Sequence, residues 1–173
     1  MASPVTLEDA RRQVRLEPDD TSMDVELAGF ISDAAAWVER YTGHILIARD
    51  VTEAVFADAG LVAVRAWPVQ PLATPVVTAN DIPIDGCRLD LSGRPARIRP
   101  ATGAVWPTSS VGYPLQITIR AGYEDEDPVP GNFRRAMLLL IGAYDADREG
   151  GEIFMAAEKS ARSLCSDYRL RRV

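Results

Sequence analysis

One nine-residue stretch shows the character of the middle of the chain: Leu115-Gln116-Ile117-Thr118-Ile119-Arg120-Ala121-Gly122-Tyr123. Apolar residues at the odd positions alternate with polar residues at the even positions as far as Ala121. A period of two is the pattern of a strand with one buried face. The stretch is the clearest strand in the sequence, and it predicts a sheet in this part of the chain.

The wider region around this strand, residues 44–123, is rich in Val, Ile, Thr, Pro and Gly. Further strands are predicted around Val62 and Val64 and between Cys87 and Leu91. Turn-forming pairs separate the predicted strands, at Asn80-Asp81, Asp85-Gly86, Ser92-Gly93 and Thr102-Gly103. Short strands with such frequent turns predict an antiparallel sheet or a small barrel rather than βαβ units.

Two helices are predicted before the β-rich region. Thr6 is placed to cap the first, with Asp9 in capping-box position, and this helix is expected to end near Arg15. Residues 18–22 break the chain and offer N-caps for a second helix, which Gly43 ends. Seven apolar residues fall on one face of the second helix: Leu27, Phe30, Ile31, Ala34, Trp37, Val38 and Tyr41.

Two more helices are predicted after the strand. The third runs from about Phe133 to Arg148, and its segment 136–141 is apolar on every side. A helix that is apolar all round is expected to be buried all round. Gly150-Gly151 breaks the chain, and the last helix is expected to cover residues 160–168.

These patterns predict an α+β fold: a helical body of two N-terminal and two C-terminal helices, with an antiparallel β-rich insertion between helices 2 and 3. We expect a single domain over residues 1–173. Residues 1–43 and 128–173 form the helical body, residues 44–123 form the insertion, and residues 168–173 form a C-terminal tail. A chain of this length can fold without a metal ion or a disulfide.

Composition and charge disfavour several classes of protein. No run of about 18 apolar residues occurs, so no membrane span is predicted. The first 15 residues lack the apolar core of a secretion signal. The net charge of −6 disfavours a sequence-independent nucleic-acid binder, which needs a basic face. Cys87 and Cys165 match no CxxC pattern and are expected to be reduced, unpaired thiols.

The far face of the second helix is unusual, because small or apolar residues stand where a surface helix shows charge. These residues are Val25, Gly29, Ser32 and Ala36. Small residues let another backbone approach closely, so this helix is expected to pack on two sides. Its second partner is either another part of the same chain or a neighbouring copy, in which case the four residues form a subunit interface.

The C-terminal segment concentrates basic charge. From Glu158 to Val173, five basic residues stand against two acidic ones, an excess of +3 in a chain of −6. The tail itself comprises Tyr168, Arg169, Leu170, Arg171 and Arg172. Arginine mixed with tyrosine and leucine is more typical of a protein interface than of a phosphate tether. A solvated tail, a protein-docking arm and a nucleic-acid contact are the three alternatives.

Catalytic signatures are missing from the sequence. There is no GxSxG elbow, HExxH pair, GxxxxGK[ST] loop or GxGxxG turn. His44 is the only histidine, and at a helix end it is expected to be structural or solvent-facing. We therefore expect a protein that is not an enzyme, with no catalytic residue, cofactor site or metal site.

Three charged groups leave alternatives open. The run Glu124–Asp127 is expected to be solvated, with a bound cation as the alternative. Asp145, Asp147 and Glu149 form either a solvated helix end or a contact for a basic partner. A small nucleic-acid-binding domain would need a basic, aromatic-bearing sheet face, for which Arg94, Arg97 and Arg99 are the only support.

Several motifs occur in a familiar order over nearly the whole chain: Val5–Ala10, Trp37–Gly43, Trp67–Leu72, Pro95–Ile98, Trp106-Pro107, Ala121–Tyr123, Val129-Pro130 and Ala136–Tyr144. In this order they resemble the head–tail connector (adaptor) family of long-tailed phages, prophages and gene transfer agents. Trp37–Gly43 is the most characteristic segment. The acidic run at residues 124–127 and the basic tail after Tyr168 depart from the family pattern.

The resemblance implies a structural protein that forms a ring, typically of twelve copies, beneath the portal protein of a virion. Such a ring extends the DNA channel and links capsid to tail, and DNA passes through it without specific binding. The implied partners are the portal, stopper or tail proteins and further copies of the chain, with no cofactor and no membrane. Assembly is expected in the bacterial host cytoplasm.

The family resemblance also implies that residues Tyr168 to Arg172 contact the portal, since related connectors use their C-terminal segment in this way. Two other functions stay open. One is a stopper or tail-completion protein of the same particle, and the other is a small nucleic-acid-binding domain.

Overall fold

Helices lie at both ends of the chain and strands lie between them in the computed structural model, which describes residues 3–57, 61–107, 114–124 and 129–169. The helices of this part are α1 (Leu7–Gln13), α2 (Asp24–Thr42), α3 (Gly131–Ala146) and α4 (Glu152–Cys165), and a 3₁₀ turn (Ser166–Tyr168) follows. The strands are β1 (Arg49–Val55), β2 (Val62–Val64), β3 (Val76–Ala79), β4 (Ile82–Pro83), β5 (Arg88–Asp90), β6 (Ala96–Arg99) and β7 (Leu115–Ala121). This order confirms the α+β fold with a β-rich region between helices 2 and 3.

The chain divides into two compact units. The helical unit combines Met1–Ile47 with Tyr123–Val173, and the β unit is Ala48–Gly122. The sequence placed the β-rich insertion at residues 44–123. The single-domain organisation over residues 1–173 stays a prediction.

Helix α1 is held by polar contacts at its start and along its side. Thr6 and Asp9 form the predicted capping box, because each side chain accepts a hydrogen bond from the other's backbone N–H at 3.1 Å. Arg11 donates two hydrogen bonds to the carboxylate of Asp24 at the start of α2, from Nε at 2.8 Å and from Nη2 at 2.5 Å. Arg134 of α3 reaches Asp9 at 2.6 Å. Together these contacts fix α1 against both α2 and α3.

Helix α3 supplies the largest share of the helical core. Its buried residues are Phe133, Ala136, Met137, Leu140, Ile141 and Ala143. They pack with buried residues of α2 and α4, among them Leu27, Trp37, Val38 and Cys165. Leu138 and Leu139 are only half-buried, so the expectation of a helix buried on every side was wrong for these two positions.

The predicted helix ends agree with the structure for α2, are close for α1 and are wrong for the start of α4. Gly43 ends α2 as predicted, with a left-handed φ of 73° and its N–H donated to the Glu39 carbonyl at 2.8 Å. Helix α1 ends at Gln13, two residues before the predicted end near Arg15. The predicted start of α4 at Ser160 was wrong, since the helix begins at Glu152, directly after Gly150-Gly151.

The β unit contains a four-stranded sheet in the order β1-β7-β3-β4 and a three-stranded sheet in the order β2-β6-β5, with every strand pair antiparallel. Strand β7 lies inside the larger sheet, and its residues 115, 117, 119 and 121 are buried while their neighbours are not. This confirms the predicted alternation. Asn80 and Asp81 both have positive φ, at 50° and 63°, and form the predicted turn between β3 and β4.

We expect Leu140→Ala to lower the free energy of unfolding by about 2–5 kcal/mol, because it removes buried methyl groups from the middle of α3 and leaves a cavity. Urea denaturation followed by circular dichroism measures this change. Val25→Ala is the matched control, since Val25 is 89% exposed, and its effect should stay within about 0.5 kcal/mol. Equal effects of the two substitutions would contradict the placement of α3 in the core.

Candidate assembly surfaces

The far face of α2 is open in the described chain. Val25, Gly29, Ser32 and Ala36 are all exposed, and an added Cβ at Gly29 would meet no atom within 4 Å. No described part of the chain covers this face, so packing within the chain, one of the two alternatives, is not observed. A long helix thus carries a small, partly apolar strip that the described residues leave uncovered.

The C-terminal helix is fastened to α2 by a chain of polar and aromatic contacts. Glu158 accepts a hydrogen bond from the Trp37 indole at 3.1 Å and another from Arg162 at 2.8 Å. Trp37 stacks on Tyr41 with ring centroids 5.1 Å apart. The guanidinium groups of Arg162 and Arg169 lie over the Tyr41 ring, at 5.6 and 5.4 Å from its centroid.

This contact chain holds Glu158 in its ionised form. The hydrogen bonds from Trp37 and then from Arg162 lower the pKa of the Glu158 carboxyl below its ordinary value. An ionised Glu158 accepts both hydrogen bonds, and the one from Trp37 joins α4 to α2.

Four aromatic side chains meet beside the start of α3. Phe133 is buried and packs edge-on against Tyr168 at 4.7 Å and against His44 at 5.0 Å. His44 also stacks on Tyr123, and its Nδ1 lies 2.8 Å from the Tyr123 hydroxyl. His44 therefore has the structural role expected of it, as the centre of an aromatic cluster in the helical unit.

The predicted portal-docking residues fall into two groups. Tyr168 packs on Phe133 and Arg169 lies over Tyr41, so both are in contact with the helical unit. Leu170, Arg171 and Arg172 lie outside the described residues. The structure therefore places the start of the tail against the body of the protein.

A shallow groove of about 430 Å³ separates the end of α1 from α3 and α4. Its lining includes Gln13, Val14, Leu139, Gly142, Ile153 and Ala157. Ile153 and nearby Met155 are 56% and 66% exposed. The groove adds a second stretch of exposed apolar surface to the helical unit, and the sequence analysis did not predict it.

Asp147 was grouped with Asp145 and Glu149 as a solvated helix end or a contact for a basic partner. In the structure its side chain caps the first turn of α4. Its carboxylate accepts a hydrogen bond from the Phe154 N–H at 3.2 Å. Backbone N–H groups of Gly151 and then Phe154 lower the pKa of the Asp147 carboxyl, because they stabilise its charged form. An aspartate before a glycine pair is the sequence signal for this cap. It was missed because Asp147 stands five residues before Glu152, the first residue of α4.

The arginines considered for nucleic-acid binding do not form one patch. Arg97 and Arg99 are exposed on β6, whereas Arg94 is half-buried with its guanidinium 5.9 Å from the Trp67 ring. None of the residues in β2, β5 or β6 is aromatic. The three-stranded sheet therefore lacks the stacking platform that a single-stranded nucleic acid would use.

The cysteines and the acidic side chains are the remaining candidate reactive or metal-binding groups. Cys87 and Cys165 are free thiols, as expected, and burial raises the pKa of Cys165 to about 11. The acidic run 124–127 lies outside the described residues except for Glu124. Among the residues that are described, no three His, Cys, Asp or Glu side chains gather as metal ligands would. No helix of the same residues is long and apolar enough to cross a bilayer.

Comparison with known proteins identifies structural neighbours only. No protein-family model and no curated protein matches the sequence. The fold matches a chain from the neck of an empty gene transfer agent particle computed with C6 symmetry, with a TM-score of 0.75 and 24% identity. It also matches a chain from the virion of the native particle (0.74 and 23%) and one from its neck with C12 symmetry (0.70 and 24%). Each match covers 100% of this chain and 94% of the other, so the whole fold is shared.

We expect Asp147→Ala to lower the melting temperature at pH 7, because the first turn of α4 loses its acceptor. A carboxyl with a lowered pKa stabilises the fold above its ordinary pKa and loses this effect as the pH falls through its lowered value. The difference from the unchanged protein should therefore shrink as the pH is lowered from 7 to below about 4, the ordinary pKa of an aspartate. Thermal melts across this range measure it. Glu149→Ala, exposed in the same loop, is the control, and a pH-independent Asp147 effect would contradict the cap.

Proposed function

We propose that the chain is a structural connector (adaptor) in the neck of a tailed phage-like particle, where copies form a ring beneath the portal protein. The observation that carries the proposal is the shared fold: a neck chain of a gene transfer agent particle aligns over 100% of this chain with a TM-score of 0.75. Because both units take part in that alignment, the likeness is not restricted to one common subfold.

The far face of α2 is the proposed subunit contact. Cyclic rings bring two different patches of one protein together at every contact, so each copy needs surface that its own fold leaves open. Val25, Gly29, Ser32 and Ala36 provide such surface. The C6 and C12 symmetry of the neighbouring neck structures supports a ring arrangement.

The C-terminal tail is the proposed portal contact. Tyr168 and Arg169 lie against the helical unit and fix where the tail begins. The following residues, Leu170, Arg171 and Arg172, combine two guanidinium groups with an apolar side chain. Guanidinium groups form directional, two-pronged hydrogen bonds with carboxylates, which suits an arm that docks into another protein.

The net charge of −6 fits a DNA channel. A wall that neutralised many phosphates would release counterions and hold the DNA tightly, whereas an acidic ring lets it pass. A stopper or tail-completion protein of the same particle is the runner-up, because it would share the neck. Cross-linking to the portal supports the adaptor role, and cross-linking to tail proteins alone supports the stopper role.

Disruption of the gene in a strain that produces the particles tests the proposed function. We expect DNA-filled heads without tails in electron micrographs, because the portal would lack the surface on which the tail assembles. Expression of the unchanged chain should restore tailed particles. Normal, fully tailed particles from the disrupted strain would overturn the proposal.

Complementation with Ala36→Arg tests the subunit contact in the same strain. The substitution adds a long charged side chain to the far face of α2, so tails should not be restored although the melting temperature of the purified variant is unchanged. Ala156→Arg, on an exposed position of α4, is the matched control and should restore tails. Equal restoration by both variants would remove α2 from the interface.

Deletion of residues 170–173 tests the portal contact. The shortened chain keeps Arg169 over Tyr41, so its circular dichroism and melting temperature should be unchanged while co-purification with the portal is lost. Leu170→Ala alone is a milder variant that separates the apolar contribution from the two arginines. Unchanged portal binding after the deletion would exclude the tail as the docking arm.

A further inference from the structure

The three-stranded sheet exposes a cluster of arginines on one side. Arg97 and Arg99 alternate with the buried Ala96 and Ile98 along β6, so both guanidinium groups leave the sheet on its exposed side. Arg88 of β5 is exposed and lies directly opposite Arg99. We call these three residues the arginine face.

The arginine face is under-neutralised. Like charges on directly opposed residues of paired strands are destabilising, and Arg88 and Arg99 are such a pair. Asp90, opposite Arg97, is the acidic residue that strands β2, β5 and β6 place on this side. Its carboxylate Oδ1 already accepts hydrogen bonds from the backbone N–H and the hydroxyl of Ser92, at 3.0 and 2.6 Å, and its other oxygen stands 3.8 Å from Arg99. The guanidinium groups of the arginine face are therefore available to anionic groups from outside the unit.

The two units of the chain differ sharply in charge. The helical unit contains 12 basic residues and 19 acidic ones, a net charge of −7. The β unit contains seven arginines and six acidic residues, a net charge of +1. Every copy of the chain therefore carries, in its helical unit, an excess of acidic residues opposite in charge to the arginine face.

We propose that the arginine face of one copy docks onto the acidic helical unit of the next copy. The inference deepens the proposed function, on which it rests, by naming a second contact between copies in the ring. The contact is heterologous, with a different patch on each partner, as a closed ring needs. Arginine forks match carboxylates in geometry, so opposed charges set the register between neighbours as well as attracting them.

The observations favour protein over DNA as the occupant of this face. A phosphate backbone would meet the Asp90 carboxylate among the three guanidinium groups, and the strands offer no aromatic ring for a base to stack on. A protein surface carries separate carboxylates, each of which can pair with one arginine without being placed next to the Asp90 carboxylate.

A photo-cross-linker on the face tests the proposal. Ala63 lies directly opposite Arg97 on β2 and so faces the same side, and Ala63→p-benzoyl-phenylalanine keeps all three arginines. Assembled particles purified from a complemented strain are irradiated, denatured and analysed by mass spectrometry. We expect a covalent dimer of the chain in which position 63 is joined to a peptide from residues 1–47 or 123–173.

Charge reversal supplies the matched controls. Arg97→Glu added to the cross-linking chain should abolish the dimer, whereas Arg135→Glu, an equal charge change on an exposed position of α3, should leave it intact. Cross-links to DNA or to a different particle protein, or a dimer that survives Arg97→Glu, would overturn the proposed contact. Absence of the chain from purified particles would instead overturn the proposed function, so the two failures are distinguishable.

Discussion

The helical unit depends on bringing together two chain segments separated by the whole β unit. Residues up to Ile47 and residues from Tyr123 onward must meet in one core, and closing so long a loop costs conformational entropy. His44 and Tyr123 stand near the two ends of the excursion, and their side chains stack and lie 2.8 Å apart at Nδ1 and the hydroxyl. Phe133 packs against His44 and links this point to α3. The aromatic cluster thus closes the loop where the chain leaves the helices and where it returns.

Once the two segments meet, the same few contacts set the position of the C-terminal end. Tyr168 packs on Phe133, and Trp37 and Tyr41 hold Glu158 and Arg169. Each of these residues serves stability, yet together they decide where the proposed docking arm begins. The outward surfaces, by contrast, take no part in the core: the far face of α2 and the arginine face are both exposed. The fold therefore separates the residues that stabilise the helical unit from those that form the proposed contacts with other copies.

Much of the fold could be predicted from the sequence, because helix caps and turns depend on residues that are close together in the chain. The capping box of Thr6 and Asp9, the left-handed Gly43 and the turn at Asn80-Asp81 are each decided within a few positions, and all three are present. Long-range features were beyond reach. The pairing of β1 with β7 joins residues 60 to 72 positions apart, from Val55 with Leu115 to Arg49 with Ala121, and no local pattern specifies it. The start of α4 was missed because Asp147, which caps it, stands before Gly150-Gly151 and not directly before the helix.

The candidate site shows the same division between near and distant partners. The small residues on α2 could be recognised from helical spacing, and the structure leaves them exposed. Tyr168 was placed at the start of the C-terminal tail, and no local pattern could show that it packs on His44 and Phe133, which are far away in sequence. The discontinuous helical unit has a further consequence during synthesis. Helix α2 leaves the ribosome roughly 100 residues before α3, which at about 5–20 residues per second means several seconds or more. Throughout that interval Leu27 and Val38 have no α3 to pack on, so the nascent chain is most prone to aggregation before its second half appears.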